Sequence, residues 1–100
     1  QKLEKEIKQS IKLAYNQIVA LREEMNIVEE EIISNDELQS LYREQFEFGE
    51  GDILRLIEGE ERLYNSHRRK NRVESDIARN IYTLMKNIGY MRKEYFCASC

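Results

Sequence analysis

The chain has 100 residues and a formal net charge of −3 at neutral pH, so it holds one domain at most and its overall charge gives no case for nucleic-acid binding. Charged residues make up 35% and hydrophobic residues 41%, without proline or tryptophan, which is typical of long exposed helices rather than of a thick globular core. No apolar run approaches the roughly 20 residues of a membrane-spanning helix, and the N-terminal segment lacks the apolar core of a signal peptide. That segment reads like the middle of a helix, so we expect the chain to be part of a longer protein.

The first predicted element is a long helix over residues 1–48. A seam of residues alternately three and four apart runs along it: Ile11, Ala14, Ile18, Leu21, Met25, Val28, Ile32, Asn35, Gln39, Tyr42 and Phe46. This spacing indicates coiled-coil-like packing against another helix. A second apolar row follows at intervals of seven, with Ser34 as its interruption: Leu13, Ala20, Ile27, Leu41 and Phe48. Two rows on one helix indicate that neighbours flank it on both sides, as in a bundle or a ring of helices.

A break in the helical pattern falls at residues 49–52, where Gly49 and Gly51 lie close together. Gly49 suits the left-handed position just after a helix, because glycine has no Cβ to clash there. Asp52 suits the position that caps the free amides of a second helix beginning near Ile53. These residues therefore predict the tip of a helical hairpin.

The second helix is predicted over residues 53–89. Its proposed seam consists of Ile53, Leu56, Leu63, Ile77, Ile81, Leu84 and Ile88, and its second row of Ile57, Tyr64, Ala78 and Met85. Residues 67–76 are polar on nearly every face and are interpreted as a solvated mid-helix segment. A basic nucleic-acid patch of Arg68, Arg69, Lys70 and Arg72 is the alternative, but acids flank it. His67 has no second ligand at metal spacing and is assigned to the seam.

Gly89 is predicted to end the second helix, leaving residues 90–100 as a tail. Cys97 and Cys100 have the spacing of a redox pair or half a zinc site, although a metal site would need another chain. The pair is weak evidence for function, so no metal is expected. The fold class is therefore all-α, a long antiparallel two-helix hairpin. One row on each helix stays uncovered, so an isolated hairpin should be marginally stable and inclined to associate.

The order and spacing of several motifs match a known family. They are Gln45, Phe46 and Gly49, then Ile53, Leu54, Leu56, Ile57 and Glu58, then Leu63 and Tyr64, and finally Gly89. Over about residues 1–90 the chain resembles the last helical hairpin of TolC-like outer-membrane efflux proteins, in particular the subgroup that serves type I secretion. Each motif is modest alone, whereas their common order and spacing are fairly specific.

The resemblance implies a homotrimeric outer-membrane channel with a long periplasmic α-barrel, in which this chain supplies one periplasmic hairpin. It implies partners too: a periplasmic adaptor (membrane fusion) protein and an inner-membrane transporter, with membrane contact only through parts that this chain lacks. The adaptor-docking tip would comprise Phe48, Gly49, Gly51, Ile53 and Leu54.

The resemblance also places an entrance gate at Phe46, Arg55 and Glu58. The family often has an arginine where Gly51 stands and an acid where Arg55 stands, so this chain departs from the pattern. A gate could persist if Arg55 donates to Glu58 or to a neighbour's acid. The alternative is that Arg55 and Glu58 form a plain surface pair, which contributes little.

Two other function classes are compatible with or opposed by the sequence. A stand-alone coiled-coil interaction module is the alternative to the channel segment. An enzyme has little support, because the sequence has no Ser-His-Asp set and no phosphate-cradling glycine loop. We therefore expect no catalytic residues and no cofactor.

Overall fold

A computed structural model of the protein describes the backbone of residues 2–97 and the side chains of residues 3–89. It contains two helices, α1 (Lys2–Glu47) and α2 (Ile53–Cys97), and residues 2–97 include no strand. The predicted all-α hairpin and the position of its tip are confirmed. The helices are long because good helix formers follow one another without proline. The glycine-containing loop ends α1 and precedes α2.

The chain forms two compact units, each built from one segment of α1 and one of α2. The loop unit comprises residues 24–73, and the terminal unit comprises residues 1–23 and 74–100. In the loop unit the segments are antiparallel, since Asn35 contacts Ser66 whereas Gln39, further along α1, contacts Glu60. In the terminal unit the Asn87 side chain donates a 2.8 Å hydrogen bond to Ser10 Oγ.

The predicted seam of α1 is confirmed by the burial of its side chains. Ala14, Ile18, Val28 and Gln39 are buried. The other members are partly buried, except for Phe46 near the tip, which is exposed. Ile7 is buried as well, one heptad before Ala14, so the row begins earlier than the sequence analysis placed it.

Most of the predicted seam of α2 is confirmed, since Leu63 is buried and Leu56, Ile77, Ile81 and Leu84 are partly buried. The other two members, Ile53 and Ile88, are exposed. His67 is exposed as well, so its assignment to the seam is wrong. The seam also contains a row that the sequence analysis did not include, Gly59, Ser66, Val73, Asn80 and Asn87, all buried or partly buried.

This row escaped the sequence analysis because most of its residues are small or polar. Their fit becomes visible only when α1 is placed beside them. Gln39, 1% exposed, donates through Nε2 to the Leu56 carbonyl at 2.9 Å and to Glu60 Oε1 at 3.1 Å. Its own Oε1 lies 1.6 Å from where a Cβ on Gly59 would be. The amide therefore occupies the space that the missing side chain leaves open.

Residues 67–76 are not the fully solvated segment that their polarity indicated. Val73 is 2% exposed, and Lys70 is partly buried, so the seam continues through this stretch. Arg69 also reaches across to α1, where its guanidinium forms ion pairs with Glu24 at 3.5 Å and Glu31 at 3.3 Å. A single valine among ten residues was too weak a periodic signal to reveal this contact.

The expected end of α2 at Gly89 is also wrong, because the helix continues to Cys97. Gly89 does not adopt a positive φ; Gly49 is the glycine that does so in the described chain. A glycine inside a helix costs about 1 kcal/mol relative to alanine, which helix formers on either side readily outweigh. Of the predicted tail, residues 90–97 are therefore helical, while residues 98–100 lie outside the described part.

The contact between Gln39 and Gly59 predicts strong coupling between two substitutions. Gly59→Ala should displace the Gln39 amide and lose two hydrogen bonds worth about 0.5–1.5 kcal/mol each. That loss offsets or exceeds the gain of about 1 kcal/mol in helix propensity. In a Gln39→Ala background the new methyl group meets no amide, so Gly59→Ala should stabilise by up to about 1 kcal/mol.

The measurement is unfolding by guanidinium, followed by circular dichroism at one protein concentration. The four chains are the unmodified chain, Gly59→Ala, Gln39→Ala and the double variant. We expect a coupling free energy of at least about 1 kcal/mol between the two sites. Effects that add within about 0.5 kcal/mol would mean that the two residues do not share this space.

Candidate docking site at the hairpin tip

The end of α1 is closed by a pair of backbone hydrogen bonds. Gly49 N–H donates to the Phe46 carbonyl at 3.0 Å, and Glu50 N–H donates to the Gln45 carbonyl at 3.0 Å. With Gly49 at a φ of 75°, this is a Schellman motif, which satisfies carbonyls that the helix end leaves free. The predicted role of Gly49 is confirmed.

Gly51 is required for a different reason, which the sequence did not reveal. A Cβ at this position would lie 2.6 Å from the Phe46 nitrogen and 2.7 Å from the Phe46 Cα. Both are backbone atoms of the last turn of α1 and cannot swing aside as a side chain can. The loop therefore folds back onto the helix it has just left, and the arginine common in the resembled family would not fit this conformation.

Asp52 begins α2 as predicted. Its Oδ1 accepts a 3.0 Å hydrogen bond from Leu54 N–H, and its carbonyl accepts the first helical bond from Leu56 N–H at 3.2 Å. The carboxylate thus satisfies a free amide and lies at the positive end of the helix dipole. The two helix ends and the loop are all held by local bonds, so the tip has a defined shape.

That shape displays apolar side chains to solvent. Phe48 is 75% exposed, Leu54 58% and Ile53 52%. Two exposed acids, Glu50 and Asp52, lie between them in the chain. Large apolar side chains at the turn of a hairpin, rather than inside it, are characteristic of a surface that contacts another molecule.

An ion pair lies on α1 and α2 behind the tip. Arg43 donates through Nε to Glu60 Oε1 at 3.0 Å, and Gln39 donates to the same oxygen at 3.1 Å. The hydrogen bond from Arg43, followed by that from Gln39, lowers the pKa of the Glu60 carboxyl below its ordinary value of 4.5. This interaction is exposed, so solvent screens it.

The three residues predicted to form an entrance gate, Phe46, Arg55 and Glu58, are all exposed in this chain. The guanidinium of Arg55 lies over the ring of Tyr42, 5.8 Å from its centroid, and forms no ion pair with Glu58 in the described structure. Phe46 is exposed in the last turn of α1. The surface pair of Arg55 and Glu58 is therefore not formed in the described structure, and the entrance gate, which would involve neighbouring chains, stays a prediction.

Three arginines of the predicted basic patch line a shallow concavity together with Asn65: Arg68, Arg69 and Arg72. Arg69 is engaged by glutamates of α1. Arg68 lies over the Tyr64 ring, 5.8 Å from its centroid. Two of these arginines are thus held by the hairpin itself, which favours a structural role for them over the nucleic-acid patch considered from the sequence.

No protein-family model matches the chain, and no curated protein or solved structure shows significant similarity to it. The resemblance to TolC-like proteins therefore depends on the motif residues themselves. Within the described residues neither helix has a stretch long and apolar enough to span a bilayer. That part of the chain also has no group of three His, Cys, Asp or Glu side chains that could hold a metal ion. The side chain of Cys97 and the whole of Cys100 lie outside it.

The close approach of Gly51 to the Phe46 backbone predicts that any side chain there destabilises the protein. Gly51→Ala should cost about 1–3 kcal/mol, because the loop must shift to relieve contact with backbone atoms. Gly89→Ala is the matched control, since nothing lies within 4 Å of its Cβ position. It should stabilise by up to about 1 kcal/mol through helix propensity. Unfolding curves of both variants decide the point, and equal effects would show that the folded-back loop is not required.

The hydrogen bonds to Glu60 predict a pH dependence. Because the pKa of Glu60 is lowered on folding, its contribution to stability should be present above about pH 4.5 and lost as the pH falls through the lowered value. Glu60→Gln should therefore be less stable than the unmodified chain at pH 7, and the difference should shrink as the pH falls below about 4.5. The neighbouring exposed Glu61→Gln is the control, since Glu61 forms no ion pair in the described structure. An unchanged gap between Glu60→Gln and the unmodified chain from pH 7 to pH 2 would contradict the assignment.

Proposed function

We propose that the chain is a periplasmic hairpin of an outer-membrane channel for type I secretion or efflux, whose tip docks a periplasmic adaptor protein. In this proposal the longer protein is a homotrimer that works with an inner-membrane transporter, and the hairpin is a passive part of the conduit without catalytic chemistry. The observation that carries the proposal is the tip, where a loop fixed by glycine geometry presents apolar side chains to solvent.

The bonds of the tip support docking because they fix the surface before a partner arrives. The Schellman motif at Gly49 and the cap at Asp52 hold both helix ends. Gly51 holds the loop against α1. A preorganised surface loses less conformational entropy when it binds, so its few apolar residues contribute more of their burial energy to affinity.

The exposed rows outside the seam give a second, independent support. In the loop unit Ile27 and Leu41 of α1 and Ile57 and Tyr64 of α2 are about half exposed or more. A helix in the wall of an α-barrel has neighbours on both sides, and such rows suit that position. A stand-alone coiled-coil module would also bury them, so the rows alone do not separate the two functions. The two functions make different predictions for the partner of the tip, which the following experiment measures.

The test places substitutions at the tip of the longer protein, in the bacterium that makes it. A photoreactive residue in place of Phe48 should crosslink to the adaptor. Leu54→Asp should reduce both this crosslink and export. A buried Leu contact is worth about 1.5–3 kcal/mol, which corresponds to roughly ten- to hundredfold in affinity. An acid in the first turn of α2 agrees with the helix dipole, so folding should be retained.

Ile33→Asp is the matched control, because Ile33 is as exposed as Leu54, at 59%, but lies on α1 away from the tip. It should leave the crosslink unchanged. Gly49→Val should impair docking as well, by forcing a β-branched residue to positive φ at a cost of about 1–3 kcal/mol. If Leu54→Asp and Gly49→Val both leave crosslinking and export at their normal level, the tip is not a docking surface. Capture of an unrelated helical protein instead of an adaptor would favour the interaction module.

A further inference from the structure

The loop unit carries two exposed apolar rows that the hairpin itself does not use. The outer row of α1 consists of Ile27, Ser34 and Leu41, and the outer row of α2 consists of Ile57 and Tyr64. Leu41 is 48% exposed and Ile57 56%. The tip is a separate surface, so a docked adaptor would leave both rows as they are. A partner that covers these two rows must therefore bind the sides of the hairpin.

The two rows lie on opposite edges of the loop unit, as the ion pairs show. Ile27 is three residues after Glu24 and four before Glu31, so it lies on the edge where Arg69 pairs with both acids. Ile57 is three residues before Glu60, and Tyr64 is four after it, so they lie on the edge where Arg43 pairs with Glu60. Residues three or four apart share one face of a helix.

This placement decides how copies can associate. A two-fold dimer brings the same edge of both copies together and covers only one of the rows. Both rows are covered only when α1 of one copy packs on α2 of the next, which is a head-to-tail contact. The free α1 edge of the second copy can then pack on α2 of a third copy.

Charge favours the same arrangement. The four neighbours of Ile27 at three and four residues along α1 are Glu23, Glu24, Glu30 and Glu31. Two α1 rows facing each other would bring these acids together, and like charges repel. The corresponding neighbours of Tyr64 are Glu60, Glu61, His67 and Arg68. Glu60 is paired with Arg43, and the Arg68 guanidinium lies over the Tyr64 ring. The edge of α2 is thus less acidic than that of α1, and an α1–α2 contact brings fewer like charges together than an α1–α1 contact.

The Gln39–Glu60 hydrogen bond defines which residues of α1 and α2 are level within one chain, and the same levels apply between two copies that stand side by side at the same height. Ser34 is five residues before Gln39 and Tyr64 is four after Glu60, so the two are level to within one residue, about 1.5 Å. Leu41 and Ile57 are level by the same count. The largest side chain of one row therefore faces the smallest of the other.

We infer that this chain associates with a second copy of itself head to tail, the outer row of α1 packing on the outer row of α2 with Tyr64 over Ser34 and Leu41 against Ile57. Arg68 then lies level with Glu30 of the other copy and reinforces the contact. A shift by one heptad would remove the Leu41–Ile57 contact and set Tyr64 beside a larger residue. The inference goes beyond the proposed function, because it concerns the chain alone in solution.

The test is thiol crosslinking of the purified chain with Cys97→Ser and Cys100→Ser as background. A mixture of the Ser34→Cys and Tyr64→Cys chains should form a covalent dimer on mild oxidation, because their Cα atoms approach within disulfide reach. Each chain oxidised alone should not. A chain carrying both changes should form a ladder that continues beyond the dimer, since a head-to-tail contact leaves one free edge at each end.

The control pair is Asp36→Cys with Arg62→Cys. These residues are level in the loop unit as well, but Asp36 lies one heptad before Arg43, away from the outer row of α1. Arg62 lies one heptad before Arg69, away from the outer row of α2. The test pair should give at least about tenfold more covalent dimer than the control, because a fixed register raises the effective concentration of the two thiols.

Two outcomes overturn the inference. A dimer formed by Ser34→Cys alone, in the yield of the mixture, would mean a two-fold contact through α1. Equal yields from the test and control pairs would mean that the copies have no specific register. Neither outcome affects the tip, so the proposed function is judged separately by adaptor crosslinking and export.

Discussion

The contact between Gln39 and Gly59 determines how the two helices of the loop unit face each other. The buried amide needs a neighbour without a side chain, and Gly59 provides it. Once this row of α2 faces α1, the Gln39 Nε2 reaches both the Leu56 carbonyl and Glu60. Its Oε1 stays without a hydrogen-bond partner among the described atoms and lies against the Gly59 backbone, where a weak C–H···O contact is available. A buried polar group of this kind disfavours other registers, in which it would lose its partners.

The row of α2 that faces α1 also determines which side chains of α2 are exposed. With Gly59 and Ser66 turned inward, Ile57 and Tyr64 are turned outward and Glu60 reaches the edge where Arg43 lies. Had the more apolar row of α2 packed on α1, His67 would have been buried and Gly59 exposed. The hairpin thus leaves Ile57 and Tyr64 exposed while it buries small and polar residues of α2.

The tip shows how two glycines close together serve different purposes. Gly49 supplies the positive φ that ends α1, whereas Gly51 supplies the missing Cβ that lets the loop lie on the Phe46 backbone. The result is a short, firmly held loop with Phe48, Ile53 and Leu54 on the outside. If a partner binds this loop, as proposed, little conformational entropy is lost on binding, because the loop is already ordered.

The sequence by itself determined the helices, the tip and the seam of α1, because those features depend on local physics. Gly49, Asp52 and the three- and four-residue spacing of α1 each act within one or two turns of chain, and each was read correctly. The end of α2 was missed because an interior glycine and a terminal glycine look alike in sequence. Their difference is the sign of φ, which depends on whether helix formers continue beyond Gly89.

The face that α2 turns toward α1 was decided only by the tertiary structure. Apolar content favoured Ile53 and Ile88, which are exposed, while the structure turns Gly59, Ser66 and Asn87 toward α1. The reason is that a seam is chosen by the fit of two surfaces, and α1 presents Gln39, Asn35 and Ser10 to α2. Small and polar residues match those side chains, and no count of hydrophobic residues on α2 alone contains that information.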